Sequence, residues 1–213
     1  MWHGIIFDFD LTLADTSKGV KECINFALEK LGYPTVSLEY ARKTIGLTLP
    51  ETFTSLTGIA DTSMASSFAS YFVQKADEVM ESLTTLYGPV PMTVKLLRER
   101  GFILAIVSTK FRYRIVNILE HHGLLHQFSL IIGGEDVTEH KPDPSGILLA
   151  LTRLCLQPGE VVYVGDHVID AETAKRANLS FIGVLQGDCQ KDDFAGYQVV
   201  ALIDYISALL SYL

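Results

Sequence analysis

From residue 102 onward, short and continuously apolar runs alternate with segments whose apolar residues recur every three or four positions, and few architectures accept that pattern. The runs are FILAIVS (102–108), SLIIGG (129–134), VVYVGD (161–166) and SFIGV (180–184). Between them, residues 112–122, 145–155 and 170–177 carry apolar side chains at helical spacing. Strands that are apolar on consecutive positions and rich in Val and Ile belong in a sheet covered on both faces. Strand and helix in strict alternation build βαβ units, hence a parallel sheet. The expected fold class is therefore α/β: a Rossmann-like parallel sheet with helices on both faces. The run GIIFDF (4–9) is its natural first strand, a helix over 92–100 leads into the second, and residues 201–213 read as a closing helix.

Residues 17–83 break the pattern. They contain no convincing strand, and helical stretches over 20–31, 38–44, 49–56 and 66–82 are punctuated by Gly32, Pro34, Pro50 and Gly58. A connection of this length exceeds the few residues of an ordinary crossover loop. It is expected to form an inserted all-α domain, residues 16–86, between two pieces of the α/β core, residues 1–15 and 87–213. The chain would pass between the two at residues 15–17 and 82–87.

Charge narrows the partners. With 17 Lys and Arg against 25 Asp and Glu, the formal net charge is −8, the reverse of a surface built for nucleic acid or anionic membrane. Phosphate-bearing small molecules remain open if a cation masks the carboxylates. No apolar run approaches membrane-spanning length, and the first strand begins almost at Met1, so neither a spanning helix nor a signal peptide is expected. Cys23, Cys155 and Cys189 match no zinc spacing and read as free thiols of a reducing, cytoplasmic compartment. A monomer or homodimer is expected.

In open parallel sheets, ligands bind beyond the carboxyl ends of the strands. Asp8 and Asp10 stand at that end of the first strand, and Ser108-Thr109-Lys110 follow the second. His140-Lys141-Pro142-Asp143-Pro144 follow the third, and Gly165-Asp166 with Asp170 follow the fourth. Each group alone has an ordinary reading as a turn or helix cap. A calcium loop beginning at Asp8 fails, since its sixth place is Leu13 and its twelfth is Gly19. Together they set four carboxylates, two hydroxyls and a lysine on one rim. Carboxylates so gathered repel unless a cation intervenes, and an all-oxygen donor set favours Mg²⁺.

The ordered set D-x-D-x-T (DFDLT, 8–12), a Ser/Thr motif, a lysine and G-D-x-x-x-D (165–170) resembles the haloacid dehalogenase-like hydrolase superfamily. Helices inserted after the first motif match its C1-capped, phosphoglycolate phosphatase-like branch. The resemblance spans about residues 5–184 and implies a Mg²⁺-dependent phosphatase acting on a small phosphorylated metabolite. It implies Asp8 as nucleophile, forming an aspartyl-phosphate, and Asp10 as the acid that protonates the leaving oxygen and then the base for water. Dehalogenases of the superfamily lack a carboxylate at the second position, so Asp10 points to phosphate chemistry.

By the same resemblance, Ser108 binds the phosphoryl group and Lys141 offsets its charge, with Phe9, Thr12, Thr109 and Gly46 as substrate-side positions. Thr12 would steady the loop around Asp10. Asp8, Asp10 (through its carbonyl), Asp166 and Asp170 would serve the metal, Asp170 through a bound water. Two departures stand out: His167 follows G-D where a small polar residue is usual, and Ser108-Thr109-Lys110 replaces Thr/Ser-Asn. His167 reads as an exposed loop residue, and Arg42 and Lys43 as a solvated surface of the inserted domain. An inorganic pyrophosphatase and a β-phosphoglucomutase-type phosphomutase use the same motifs. A non-catalytic phosphate- or metal-binding regulatory protein would have lost one of them, and a receiver domain would be shorter, uncapped and without an acid two residues past its aspartate.

Overall fold

The structure, a computed structural model, describes residues 2–213. It divides into two compact units, Met1–Ala14 with Leu86–Leu213 and Asp15–Thr85. In the first unit, strands β1 (Gly4–Phe7), β4 (Ile103–Val107), β5 (Leu130–Ile132), β6 (Val161–Gly165), β7 (Ser180–Val184) and β8 (Ala201–Ile203) form one sheet in the order β5-β4-β1-β6-β7-β8. Two-residue strands β2 (Ala14–Asp15) and β3 (Thr85–Leu86) mark the passages out of and back into this unit. Every neighbouring pair in the large sheet is parallel, with Gly4 opposite both Ile103 and Val161.

The continuous apolar runs follow from where alternate side chains go. Ile5, Phe7, Leu104, Ile106, Val162 and Val164 enter one core, which they share with α5 (Val90–Glu99) and α6 (Arg112–His121). Ile6, Ala105, Val107, Val161 and Tyr163 enter the other, packed under α7 (Ser145–Leu154) and α8 (Val168–Arg176). Neither face of a central strand meets water, so neither face can be polar.

The second unit holds α1 (Ser17–Lys30), α2 (Leu38–Arg42), α3 (Leu49–Thr57) and α4 (Thr62–Leu83) around a core of its own that includes Ile24, Leu28, Phe53, Phe68, Phe72 and Met80. Side chains close the helix starts as the sequence suggests: Thr48 and Glu51 form a reciprocal capping box on α3, and Asp61 accepts from the Met64 N–H on α4. Gly58 ends α3 at φ +73, in the left-handed region. Gly19 lets α1 come close to α4, because a Cβ there would stand 2.8 Å from Met80 Sδ.

Two expectations are corrected. Residues 201–213 are no helix: Ala201–Ile203 pairs with Ile182–Val184 as the sheet's edge strand, and Ile206–Ser211 is a 3₁₀ turn. Ile206 and Leu209, three apart, share one face of that turn and are fully buried. The first strand ends at Phe7 rather than at residue 9. The Asp8 N–H extends the ladder once more to Val164 O, and the chain then folds back through Leu11 at φ +59, with the Leu13 and Ala14 N–H groups both directed at Phe9 O. None of the described helices is long and apolar enough to cross a membrane.

Candidate active site

The chain leaves β1 toward β4 and β5 on one side and leaves β6 toward β7 and β8 on the other. The carboxyl ends of β1 and β6 thus flank the point where strand order reverses, where a crevice opens in sheets of this kind. Asp8 is the first residue past β1, and Asp166 the first past β6. With Asp170 on the first turn of α8, they offer oxygens that all lie within 4.8 Å of one another, and all three residues are buried.

Lys141 reaches into this group, its Nζ 2.9 Å from Asp8 Oδ1 and 2.7 Å from Asp170 Oδ1. The remaining contacts separate the three acids. Asp170 is fully engaged: the Tyr163 hydroxyl lies 3.0 Å from Oδ1, and Oδ2 accepts from the His167 N–H at 3.1 Å. Asp166 accepts the Thr12 hydroxyl on Oδ1 at 2.8 Å. Its Oδ2 is packed against Gly187, where a Cβ would come within 1.9 Å, so any larger residue there would have to displace the carboxylate. Asp8 Oδ1 is buried and, although close to Lys141, makes no hydrogen bond of acceptable geometry.

Electrostatics follow from burial. Desolvation raises Asp8 to about 6, with the Lys141 charge opposing and the Asp170 charge assisting. Desolvation, then Asp170 and Asp8, push Asp166 well above the usual carboxylate range. Lys141 is held well above an ordinary lysine: burial works against its charge, but Asp170 and Asp8 outweigh it. Asp8 and Asp166 are thus two buried acids that do not ionise comfortably by themselves. An under-bonded Asp8 oxygen, an Asp166 oxygen in a glycine-lined niche and an all-oxygen donor set fit a hard divalent cation such as Mg²⁺.

Asp10 stands apart from the three. Its carboxylate is held by Lys110, with Nζ 3.0 Å from Oδ1 and 3.4 Å from Oδ2, and both side chains are buried. Lys110 was missing from the expected site. Four carboxylates thus face two ammonium groups rather than one, which still leaves the rim negative before any phosphate arrives. Tyr163 was missing too, because a tyrosine in the middle of VVYVG reads as core, which its ring is. Ser108 is buried, and its Oγ accepts from the Lys110 N–H at 3.4 Å; Thr109 is half-buried on the same loop.

Three expectations change here. Thr12 is fully buried and spends its hydroxyl on Asp166, so it steadies that carboxylate instead of the Asp10 loop and has no surface to offer substrate. The Phe9 ring is fully buried in the core, which leaves only its backbone to meet a ligand. His167 is no exposed loop residue: it caps α8, its Nδ1 accepting from the Ile169 N–H, and burial lowers its pKa. Gly46 lies in the helical unit at φ +96, where Arg42 is half-buried and reaches within 4.0 Å of Asp15.

A parallel sheet with this strand order, and a nucleophile-like aspartate and a G-D-x-x-x-D turn facing each other across the reversal, define a class of hydrolase. The chain belongs to the haloacid dehalogenase-like hydrolase family, whose sequence profile matches residues 5–184. A Bacteroides fragilis crystal structure described as a haloacid dehalogenase-like hydrolase is 41% identical, with a TM-score of 0.95 over 98% of this chain and 100% of that one. The phosphoglycolate phosphatase of Vibrio cholerae is 30% identical over 97% of this chain and 94% of its own length. Pyrophosphatase PpaX of Bacillus velezensis is 29% identical, again over 97% and 94%.

Proposed function

We propose that this chain is a Mg²⁺-dependent phosphatase that hydrolyses a small phosphomonoester, in the manner of phosphoglycolate phosphatases, through an aspartyl-phosphate on Asp8. The observation that carries the reading is the division of labour between the two aspartates of DFD. Asp8 is built into the carboxylate cluster with Lys141, while Asp10, two residues on, is held separately by Lys110. A nucleophile and a proton carrier need that separation.

Asp8, Asp10 and Asp166 would hold the cation, with Asp170 orienting the set. Bound there, Mg²⁺ supplies positive charge that lets Asp8 and Asp166 ionise and that offsets the phosphoryl oxygens. The Asp8 carboxylate attacks phosphorus, and the bond from phosphorus to the leaving oxygen breaks as Asp10 gives that oxygen its proton. Asp10 then takes a proton from the water that attacks the phosphorus of the acyl phosphate, which frees Asp8 and inorganic phosphate. Lys141 keeps its charge throughout and remains against Asp8, where negative charge is densest. The Ser108 hydroxyl and Thr109 bind the phosphoryl group on the loop after β4.

On the same reading, the helical unit serves as the cap that selects substrate, Gly46 is its substrate-contact candidate, and the protein acts in the cytoplasm on a small phosphorylated metabolite. It acts as a monomer or homodimer. The resemblance to a pyrophosphatase makes pyrophosphate the second substrate to weigh. Phosphate release from 2-phosphoglycolate, sugar phosphates, nucleotides and pyrophosphate, each with Mg²⁺ and with EDTA, is the test. A phosphomonoester turned over fastest, and only with Mg²⁺, is expected. Preference for pyrophosphate would establish the second reading, and undiminished turnover in EDTA would overturn the metal assignment.

A further inference from the structure

Lys110 holds Asp10 but takes no chemical step in the scheme above, and it is among the few buried cations of the described residues, at 9% exposure. Its ammonium spans both oxygens of Asp10. Lys141 is already committed to Asp8 and Asp170 and leaves Asp10 to Lys110. We infer that Lys110 is a positioning residue: it fixes the plane of the Asp10 carboxylate so that one oxygen faces the leaving group, and the Gly133–Asp136 turn is the clamp that fixes Lys110. This rests on the phosphatase reading, with Asp10 as proton carrier.

The clamp is visible in the backbone. The Gly134 N–H donates to Lys110 O at 3.1 Å, and the Lys110 N–H points at Ser108 Oγ. One residue past Lys110, Phe111 caps α6, its carbonyl accepting from the Arg114 and Ile115 N–H groups, and one further on, the Arg112 N–H donates to both oxygens of Glu135 at 2.9 Å. The close approach requires both glycines: a Cβ on Gly134 would stand 2.4 Å from Thr109 O, and one on Gly133 would stand 2.2 Å from the Arg112 nitrogen. Lys110 therefore hangs from a loop that is pinned on both sides.

The consequence for Asp10 is geometric. A carboxylate on a loop beside three others is pushed about by their charge, whereas one bound to a fixed ammonium is not. Lys110 donates to Oδ1 at 3.0 Å and more weakly to Oδ2 at 3.4 Å, so Oδ2 is the less tightly held oxygen and the one we assign to the transferable proton. That proton passes to the leaving oxygen as its bond to phosphorus breaks, and Oδ2 later receives one from water. Lys110 itself exchanges nothing.

The test exploits the leaving group. p-Nitrophenolate departs without being protonated, whereas the alkoxide of 2-phosphoglycolate needs a proton in the transition state. Lys110→Met should lower kcat/KM on 2-phosphoglycolate by about 10²-fold, the scale of general acid catalysis, and on p-nitrophenyl phosphate by less than tenfold. Lys110→Arg, which keeps the charge but changes the donor geometry, should show the same selectivity with a smaller loss, and it serves where the Met variant does not fold. Equal losses on both substrates, or none, would overturn the proposal. Asp10→Asn is measured in parallel. If it is selective and the Lys110 variants are not, Lys110 alone loses its role; if it is not selective, the acid/base reading falls and this proposal with it.

Discussion

Asp8→Asn should abolish turnover and, in the absence of metal, make the protein more stable. Asp8 titrates at about 6 in the fold against 3.8 for an ordinary aspartate, and it is buried, so the figure needs no discount for solvent. The folded state binds this proton more tightly than the unfolded one. The stability Asp8 confers is therefore complete below about pH 3.8 and is lost as pH rises through about 6. The gap corresponds to about 3 kcal/mol once Asp8 is ionised in both states. This figure already includes the attraction of Lys141. Asparagine copies the neutral carboxyl and carries no such penalty. In EDTA at pH 8 the variant should gain about 3 kcal/mol, or roughly 6–12 °C in Tm for a chain of this size. At pH 4, where folded Asp8 is protonated, the gain should shrink to about half a kcal/mol. Saturating Mg²⁺ should close the gap from the other side, since a ligand at 100 times its Kd adds about 2.7 kcal/mol to the wild type alone. Thermal and urea unfolding at the two pH values, with EDTA and with Mg²⁺, measure all of this. A variant no more stable than wild type at pH 8, or equally stabilised at pH 4, would refute the claim that burying an ionised Asp8 costs the fold stability.

Two further outcomes follow from the same contacts. Thr12→Val keeps the shape but leaves Asp166 Oδ1 without its donor, so it should weaken Mg²⁺ activation by about 10–100-fold and lower stability by about 1–3 kcal/mol; Mg²⁺ titrations of activity and of Tm read the two effects separately. The pH profile should show an acid limb, because Asp8 must be ionised to attack and burial holds it near 6. Higher Mg²⁺ should move that limb to lower pH, since a cation beside a carboxylate favours its ionised form; a limb that stays put across a hundredfold range of Mg²⁺ would mean that the titrating group is elsewhere.

The sheet was legible because burial on both faces leaves strands no freedom of composition: each central strand is apolar at every position, and that is visible without a structure. The order of the candidate site residues was legible because Asp8, Ser108, Lys141 and Asp166 each come after a strand, and strand ends can be located from sequence to within a residue or two. Where a side chain has two aspects, the sequence shows only one. Tyr163 reads as core because its ring is core, and nothing in VVYVG announces that its hydroxyl reaches Asp170. Thr12 reads as a loop residue because its partner, Asp166, is 154 residues away. His167 reads as a loop residue because nothing in G-D-H announces that its ring accepts from the Ile169 N–H at the start of α8. Edge strand β8 was lost because three residues are too few to show a period of two, and the turn behind it, with Ile206 and Leu209 facing inward, has a spacing that a helix would share.

Lys110 shows most clearly how a departure from an expected motif carries information. Ser-Thr-Lys in place of Thr/Ser-Asn reads as a neutral variation because Lys110, unlike Ser108 and Thr109, carries no expected task. A lysine on an exposed loop would leave the charge of the rim unchanged. One buried at 9% exposure must have a partner, because an unpaired ammonium in that position costs several kcal/mol. The partner is Asp10, the second acid of DFD. On the proposed reading the two lysines therefore divide the acids by role: Lys141 stands with Asp8 and Asp170, the nucleophile's side, and Lys110 with Asp10, the proton carrier. Charge alone would be served equally well by two lysines on Asp8. Placing one on each aspartate of DFD keeps the two carboxylates from competing for a single cation, which is what the proposed reaction asks of residues two positions apart.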